Sequence, residues 1–141
     1  MTGNQQPETL IVRQPFAKTL KVVRRALVEA GLEISADVDI AGRIRKALRF
    51  DLPPCRVLYV DCPVALLEAI ALDRSAAVLL PLHLVVEGRD EFTLVHLLNP
   101  TAALYGGLPV TARAAVSKLQ TRVMHAVESV SVHLYPLEIG A

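Results

Sequence analysis

The order in which two hydrophobic repeats follow each other along the chain restricts its fold more than any other feature. Apolar residues recur at steps of three and four from Phe16 to Ala30, as on one face of a helix. They alternate with polar residues from Leu32 to Val38, as in a strand with one buried face. Continued along the chain, the repeats predict strand, helix, strand, helix, strand, helix, hairpin and long helix, a mixed α/β domain.

The predicted elements cover most of the sequence. We predict strands at residues 9–13, 32–38, 55–61, 77–87 and 91–98, and helices at residues 15–30, 40–49, 63–72 and 109–130. Pro15 and Pro63 suit the first turn of a helix, where no amide donor is needed. Asp39 suits the N-cap of the second helix, and Gly31 suits a left-handed end to the first.

No linker, repeat or low-complexity segment divides the 141 residues, a length typical of one domain. Residues 1–8 are polar, so we expect a disordered tail followed by one domain over residues 9–141. Weak alternation in residues 131–139 predicts a last strand. A doubly wound nucleotide-binding fold needs a glycine-rich turn after its first strand, and residues 13–16 contain no glycine. We therefore expect a mixed or mainly antiparallel sheet.

The composition argues against nucleic acid and membrane-spanning functions. Fifteen basic and 14 acidic residues give a net charge of +1, so no long-range field attracts nucleic acid or anionic membranes. Aromatic residues are few, which disfavours base stacking. The longest apolar stretches reach only about half of the roughly 20 residues that a membrane span needs. One basic cluster is interpreted as a solvated helix face: Arg43, Arg45, Lys46 and Arg49.

The surplus of aliphatic residues predicts a partner. Apolar residues make up 52% of the chain and occur in every predicted element. The mean hydropathy of +0.41 is accordingly high for a soluble protein. Such a chain buries its elements on both faces or buries one face in a partner, so we expect a homodimer. A sheet that grips a helix can also leave an apolar cleft, which favours a small apolar ligand.

The two cysteines are expected to be reduced in a cytoplasmic protein, because the polar start of the chain lacks the apolar region of a signal peptide. On one extended strand, Cys55 and Cys62 would lie roughly 23 Å apart. A disulfide requires Cα atoms within about 7 Å, so no intrachain bridge is expected.

A histidine pair is the first candidate for chemistry. With a four-residue loop at residues 88–91, Glu87 pairs with Phe92 and His83 lies opposite His96, within reach of a shared ligand. A two-residue loop leaves the histidines diagonal on one face, and a three-residue loop puts them on opposite faces. Two histidines do not complete a structural zinc site, so they are only weak metal candidates.

Two further candidates involve a thiol and a turn. Cys62 follows Asp61 and precedes a predicted helix start, a position that lowers a thiol pKa, although the neighbouring carboxylate opposes this. Asn99 precedes a segment in which Gly106 and Gly107 could offer backbone amides to a ligand. That segment lacks the lysine and hydroxyl residue of a phosphate loop.

Several segments together resemble the domain of unknown function 302 (DUF302) family. They are Phe16, residues 30–34 (AGLEI), 38–40 (VDI), 56–60 (RVLYV), Cys62 with Pro63, residues 79–81 (LLP), and Asn99 with Pro100. Each motif is short, but their order and spacing are specific over residues 9–130.

The resemblance implies an α+β fold like that of TATA-box-binding protein, with a curved, mainly antiparallel sheet packed on a long C-terminal helix. It also implies a homodimer, and it identifies neither a reaction nor a cofactor. Some relatives have cysteines where Asp61 and Leu82 stand here, and Cys62 is displaced by one position, which weakens a thiol mechanism by analogy. We therefore expect a binding module rather than an enzyme, with a thiol- or histidine-dependent redox, metal or enzymatic role as the alternative.

Overall fold

The computed structural model describes residues 8–97 and 110–134. Its strands are β1 (Glu8–Val12), β2 (Glu33–Asp39), β3 (Cys55–Asp61), β4 (Leu82–Arg89) and β5 (Phe92–Leu97). Its α-helices are α1 (Phe16–Glu29), α2 (Ile40–Leu48), α3 (Pro63–Leu72) and α4 (Val110–Leu134), and a 3₁₀ helix spans Arg74–Leu79.

The five strands form one antiparallel sheet in the order β1-β5-β4-β3-β2. The register is continuous through the centre, where Leu58 of β3 pairs with Leu84 of β4 and Leu84 pairs with Leu97 of β5. These leucines are buried, so one face of the sheet supplies much of the core. The sheet and the long C-terminal helix confirm the predicted α+β class.

Helices α1 and α4 cover the buried face of the sheet. Val23 and Leu27 of α1 and Leu119 and Val123 of α4 are almost fully enclosed and belong to the same core as the leucines of the sheet. The stripe of apolar residues predicted for the first helix therefore packs as expected. Helix α3 and the 3₁₀ helix lie on this same side, because both contact α4.

An ion-pair network joins α1 to the edge strand β2. Arg24 of α1 pairs with Asp37 of β2, and Arg56 of β3 lies 3.2 Å from Asp37 and 3.7 Å from Asp39. Two arginines thus neutralise the carboxylates of this edge.

The hairpin is tighter than a four-residue loop. Arg89 pairs with Phe92, so only Asp90 and Glu91 form the turn, and Asp90 has a φ of 46°. The two-residue alternative is therefore the observed one. Gly88 lies inside β4, where an added Cβ would come within 3.1 Å of the Phe16 Cβ, so its role is close packing.

Several predicted boundaries differ from the observed ones, and the largest differences are in the fourth strand and the last helix. Residues 77–79 are helical rather than extended, because Ala76 and Leu79 turn the same way into the core at a spacing of three. Helix α4 continues to Leu134, so residues 131–134 are not a strand. The first strand begins at Glu8 rather than Thr9. The rest of the predicted tail, residues 1–7, and residues 135–139 lie outside the described residues.

Candidate functional site

The side of the sheet opposite α1 and α4, which we call the open sheet face, combines apolar side chains with a few polar ones. Its residues alternate with the buried ones, and all are exposed or half-buried. The members are Thr9 and Ile11 of β1, Phe92, Leu94 and His96 of β5, His83, Val85, Glu87 and Arg89 of β4, and Cys55, Val57 and Tyr59 of β3.

Four polar side chains on this face form a continuous hydrogen-bonded chain. His96 Nε2 lies 2.6 Å from Glu87 Oε2, and His96 Nδ1 lies 2.9 Å from the Thr9 hydroxyl. Arg89 Nε donates to Glu87 Oε1 at 2.8 Å. The Glu87 carboxylate can only accept, so the His96 Nε2–H donates to it and Nδ1 is left to contact the Thr9 hydroxyl. The two contacts hold the ring of His96 between Thr9 and Glu87.

The carboxyl group of Glu87 is held in its charged form. Partial burial alone would raise its pKa, but the hydrogen bonds from His96 and Arg89, together with their charges, lower it below the ordinary value of 4.5. Val85 precedes it by two residues on the same face, Leu94 pairs with it from β5, and Cys55 pairs with it from β3. The open sheet face therefore places one carboxylate between two cationic or hydrogen-bonding partners and a group of apolar neighbours.

The two histidines predicted as a pair have different neighbours. His96 lies opposite Val85, so His83 is diagonal to it, and His83 instead pairs with Tyr59. The rings of Tyr59 and His83 meet edge to face with centroids 4.7 Å apart. Direct pairing across a four-residue loop is thus wrong. Among the described residues, no group of three or more His, Cys, Asp or Glu side chains could hold a metal ion.

Cys62 lies on the opposite side of the sheet, at the N-cap of α3. It is 5% exposed, and its sulfur accepts from the Ala65 amide at 3.4 Å and from Arg122 Nη1 at 3.3 Å. Arg122 also donates to the Ala30 carbonyl at 2.9 Å, so α4, α3 and the end of α1 meet there. The predicted start of this helix at Pro63, directly after Cys62, is confirmed.

The second cysteine lies away from Cys62. Cys55 lies on the open sheet face, where burial, followed by the charges of Glu87 and Asp39, raises the pKa of its thiol. Both cysteines are free. Asn99, Gly106 and Gly107 lie outside the described residues.

Shallow clefts flank the open sheet face and α2. One of about 390 Å³ lies beside the hairpin and is lined by Ile11, Arg13, Glu91 and Phe92. A second of about 320 Å³ involves Phe16, Cys55 and Arg56, and a third of about 550 Å³ lies along α2. The first has the volume of a small-ligand site.

Sequence reasoning missed Thr9 and Arg122 as members of these sites. Thr9 reaches His96 only because β1 pairs with β5, and Arg122 reaches Cys62 only because α4 packs on α3. Both contacts join residues at least 60 positions apart. No local spacing in the sequence encodes them.

Over residues 8–97 and 110–134, the fold is a small α+β domain with one antiparallel sheet, whose one face is covered by helices and whose other face has exposed or half-buried side chains. The chain belongs to the family described as domain of unknown function DUF302, whose model matches residues 8–130. The crystal structure of an uncharacterized conserved DUF302 protein from Bacillus stearothermophilus has the same fold, with a TM-score of 0.78. The match covers 86% of this chain and 95% of that one at 15% identity. No curated protein matches the chain. None of the helices within the described ranges is long and apolar enough to cross a membrane.

Proposed function

We propose that the protein is a homodimeric binding module that receives a small, mainly apolar ligand on its open sheet face. The observation that carries this proposal is the set of hydrogen-bonded groups, Thr9, His96, Glu87 and Arg89, within an otherwise largely apolar face. Ligand sites combine apolar walls with a few fixed polar groups in this way. The apolar side chains would supply affinity, and the polar chain would orient a polar end of the ligand.

Helix α3 supports the dimer part of the proposal. Its inward residues Ala65 and Ala69 are buried against the core, yet Val64 and Leu67 on the outer side are 69% and 68% exposed. Glu68 is its only charged residue. A helix that is apolar on all sides normally lies inside a protein or an interface. A second copy packed on this side would cover Val64 and Leu67.

Light scattering of the purified protein tests the dimer. We expect a mass of twice 15.3 kDa for the wild type at micromolar concentration, and a monomer for Leu67→Glu, because the new carboxylate would be buried without a partner. Val28→Glu, at an exposed position on α1, should remain dimeric. A monomeric wild type would contradict the dimer.

Binding of the fluorescent probe anilinonaphthalene sulfonate tests the ligand site. We expect saturable fluorescence enhancement, weakened at least about tenfold in Val85→Glu, which places a second carboxylate near Glu87. Val28→Glu serves as the control because it adds the same charge away from the sheet. Equal binding by both variants, or no saturable binding, would refute a site on the open sheet face.

A thiol-dependent accessory function is the second candidate. It is favoured by the guanidinium of Arg122, which contacts Cys62 Sγ at the N-terminus of α3. Positive groups at this position stabilise a thiolate. The rate of alkylation of Cys62 measured against pH, in a Cys55→Ser background, tests it. A midpoint near the ordinary thiol value of about 8.5 would count against this candidate.

A further inference from the structure

Helix α2 projects from the domain rather than packing into it. None of its nine residues is buried, although its first turn is half-buried and the helix contacts β3. Its last turn and the two residues that follow are exposed, with 73% of Leu48 and 60% of Phe50 open to solvent. Two large apolar side chains thus stand at the free end of a short helix.

The same helix end is basic. Arg43, Arg45, Lys46 and Arg49 are exposed, and residues 40–50 contain no acidic residue. Asp51 lies 3.3 Å from Arg45, but this pair is largely in water and neutralises one of four cations.

Three of the four cations border a hollow. A depression of about 550 Å³ is lined by Gly42, Arg45, Lys46, Arg49 and Asp51, and the exposed Leu48 directly precedes Arg49 in the chain. The surface formed by Arg43, Arg45, Lys46, Leu48, Arg49 and Phe50 is called the α2 tip below.

We propose that the α2 tip docks on an anionic lipid bilayer, with lipid phosphates against the basic hollow and Leu48 and Phe50 in the interfacial layer. Charge complementarity selects this occupant, because basic residues beside exposed apolar ones match a surface that is anionic outside and apolar beneath. A second copy placed tip to tip would bring cations against cations. Because the net charge is only +1, the attraction comes from this local cluster, and salt at about 0.10–0.15 M screens it over about 8–10 Å.

Co-sedimentation with vesicles tests the charge component. We expect the full chain to bind vesicles of phosphatidylcholine mixed with phosphatidylglycerol, not to bind phosphatidylcholine alone, and to dissociate at high salt. Arg43→Glu combined with Lys46→Glu should weaken binding at least about tenfold. Lys18→Glu combined with Lys21→Glu on the exposed side of α1 makes the same change in net charge and should retain most of the binding. No binding, equal binding to neutral vesicles, or equal loss in both variants would overturn the proposal.

A second pair of variants tests the apolar component. Leu48→Gln combined with Phe50→Gln should weaken vesicle binding about tenfold or more, whereas Val28→Gln combined with Val78→Gln, at equally exposed sites, should not. Circular dichroism would confirm that each variant is folded. If heparin binds as tightly as the vesicles and Leu48→Gln with Phe50→Gln leaves both unchanged, the partner is a polyanion and the lipid assignment is wrong.

Discussion

Glu87 shows how a partly buried carboxylate is tolerated on a sheet face that also carries apolar side chains. Its side chain is 25% exposed, and each carboxylate oxygen has its own donor, His96 on one side and Arg89 on the other. A carboxylate left without donors there would be destabilising. The charged carboxylate therefore depends on donors from two strands, and Thr9 on a third strand contacts the other side of the imidazole.

The lowered pKa of Glu87 predicts a loss of stability in acid. A carboxyl group with a pKa below its ordinary 4.5 stabilises the fold above that pH, and the contribution is lost as the pH falls through the lower, folded-state value. We expect the free energy of unfolding, measured with urea, to fall less below pH 4.5 in Glu87→Gln than in the wild type. In Glu29→Gln, at an exposed position on α1, the free energy of unfolding should fall with pH as in the wild type. Parallel curves for all three proteins would show that Glu87 carries no such contribution.

Helix α2 depends on its ends because it buries no side chain. Asp39 Oδ1 accepts from the Gly42 amide at 2.9 Å at the N-cap. A Cβ on Gly42 would collide with the Asp39 carboxylate. At the other end Arg49 has a φ of 54°, a left-handed conformation that non-glycine residues adopt at a cost. Local capping, rather than core packing, keeps this helix formed.

Removal of the cap should loosen α2 while leaving the core intact. We expect Asp39→Ala to destabilise the helix by about 1 kcal/mol. Amide exchange in residues 43–48 should become faster than in the wild type, while exchange in α1 should not change. Asp39→Asn keeps an acceptor for Gly42 but loses the charge near Arg56, so its α2 amides should exchange as in the wild type. Equal acceleration in both variants would assign the effect to the ion pair instead.

At the scale of the whole molecule, the proposed dimer and ligand surfaces lie on opposite layers. Helix α3 belongs to the helical layer, while Val85 and its neighbours form the open sheet face. A dimer built through α3 would leave both open sheet faces accessible. Changes at Leu67 and Val85 are therefore expected to act independently of each other.

Dimerisation should also appear in thermal unfolding. If two copies dissociate as they unfold, a tenfold rise in protein concentration should raise Tm by about 2–4 °C. Leu67→Glu should have a Tm that does not change with concentration. A concentration-independent Tm in the wild type would argue that folding and association are not coupled.

Local signals in the sequence predicted the parts of the fold that depend on neighbouring residues. Gly31 has a φ of 81°, Asp39 caps α2 and Pro63 begins α3, as expected. The length of the hairpin was harder to predict because Gly88 is required for packing against Phe16 rather than for the turn. An apolar run such as residues 76–80 fits a short strand or a helical turn equally well.

The candidate site was only partly predictable. His83, His96 and Cys62 were identified by residue type, but their neighbours follow from strand register and helix packing. His96 meets Glu87 because the two-residue turn shifts the register. The link to Thr9 requires β1 to lie beside β5, a pairing that no short motif encodes.

The position of β1 also has a consequence for the order of folding. Val12 pairs with Thr93 and Glu8 with Leu97, so every partner of this edge strand is more than 80 residues later in the chain. During synthesis, β1 leaves the ribosome long before β5 exists. Closing such a long loop is slow, so the edge of the sheet should be completed late. Until then, the backbone donors and acceptors of β1 are available to other chains, which makes the nascent protein a candidate for chaperone protection.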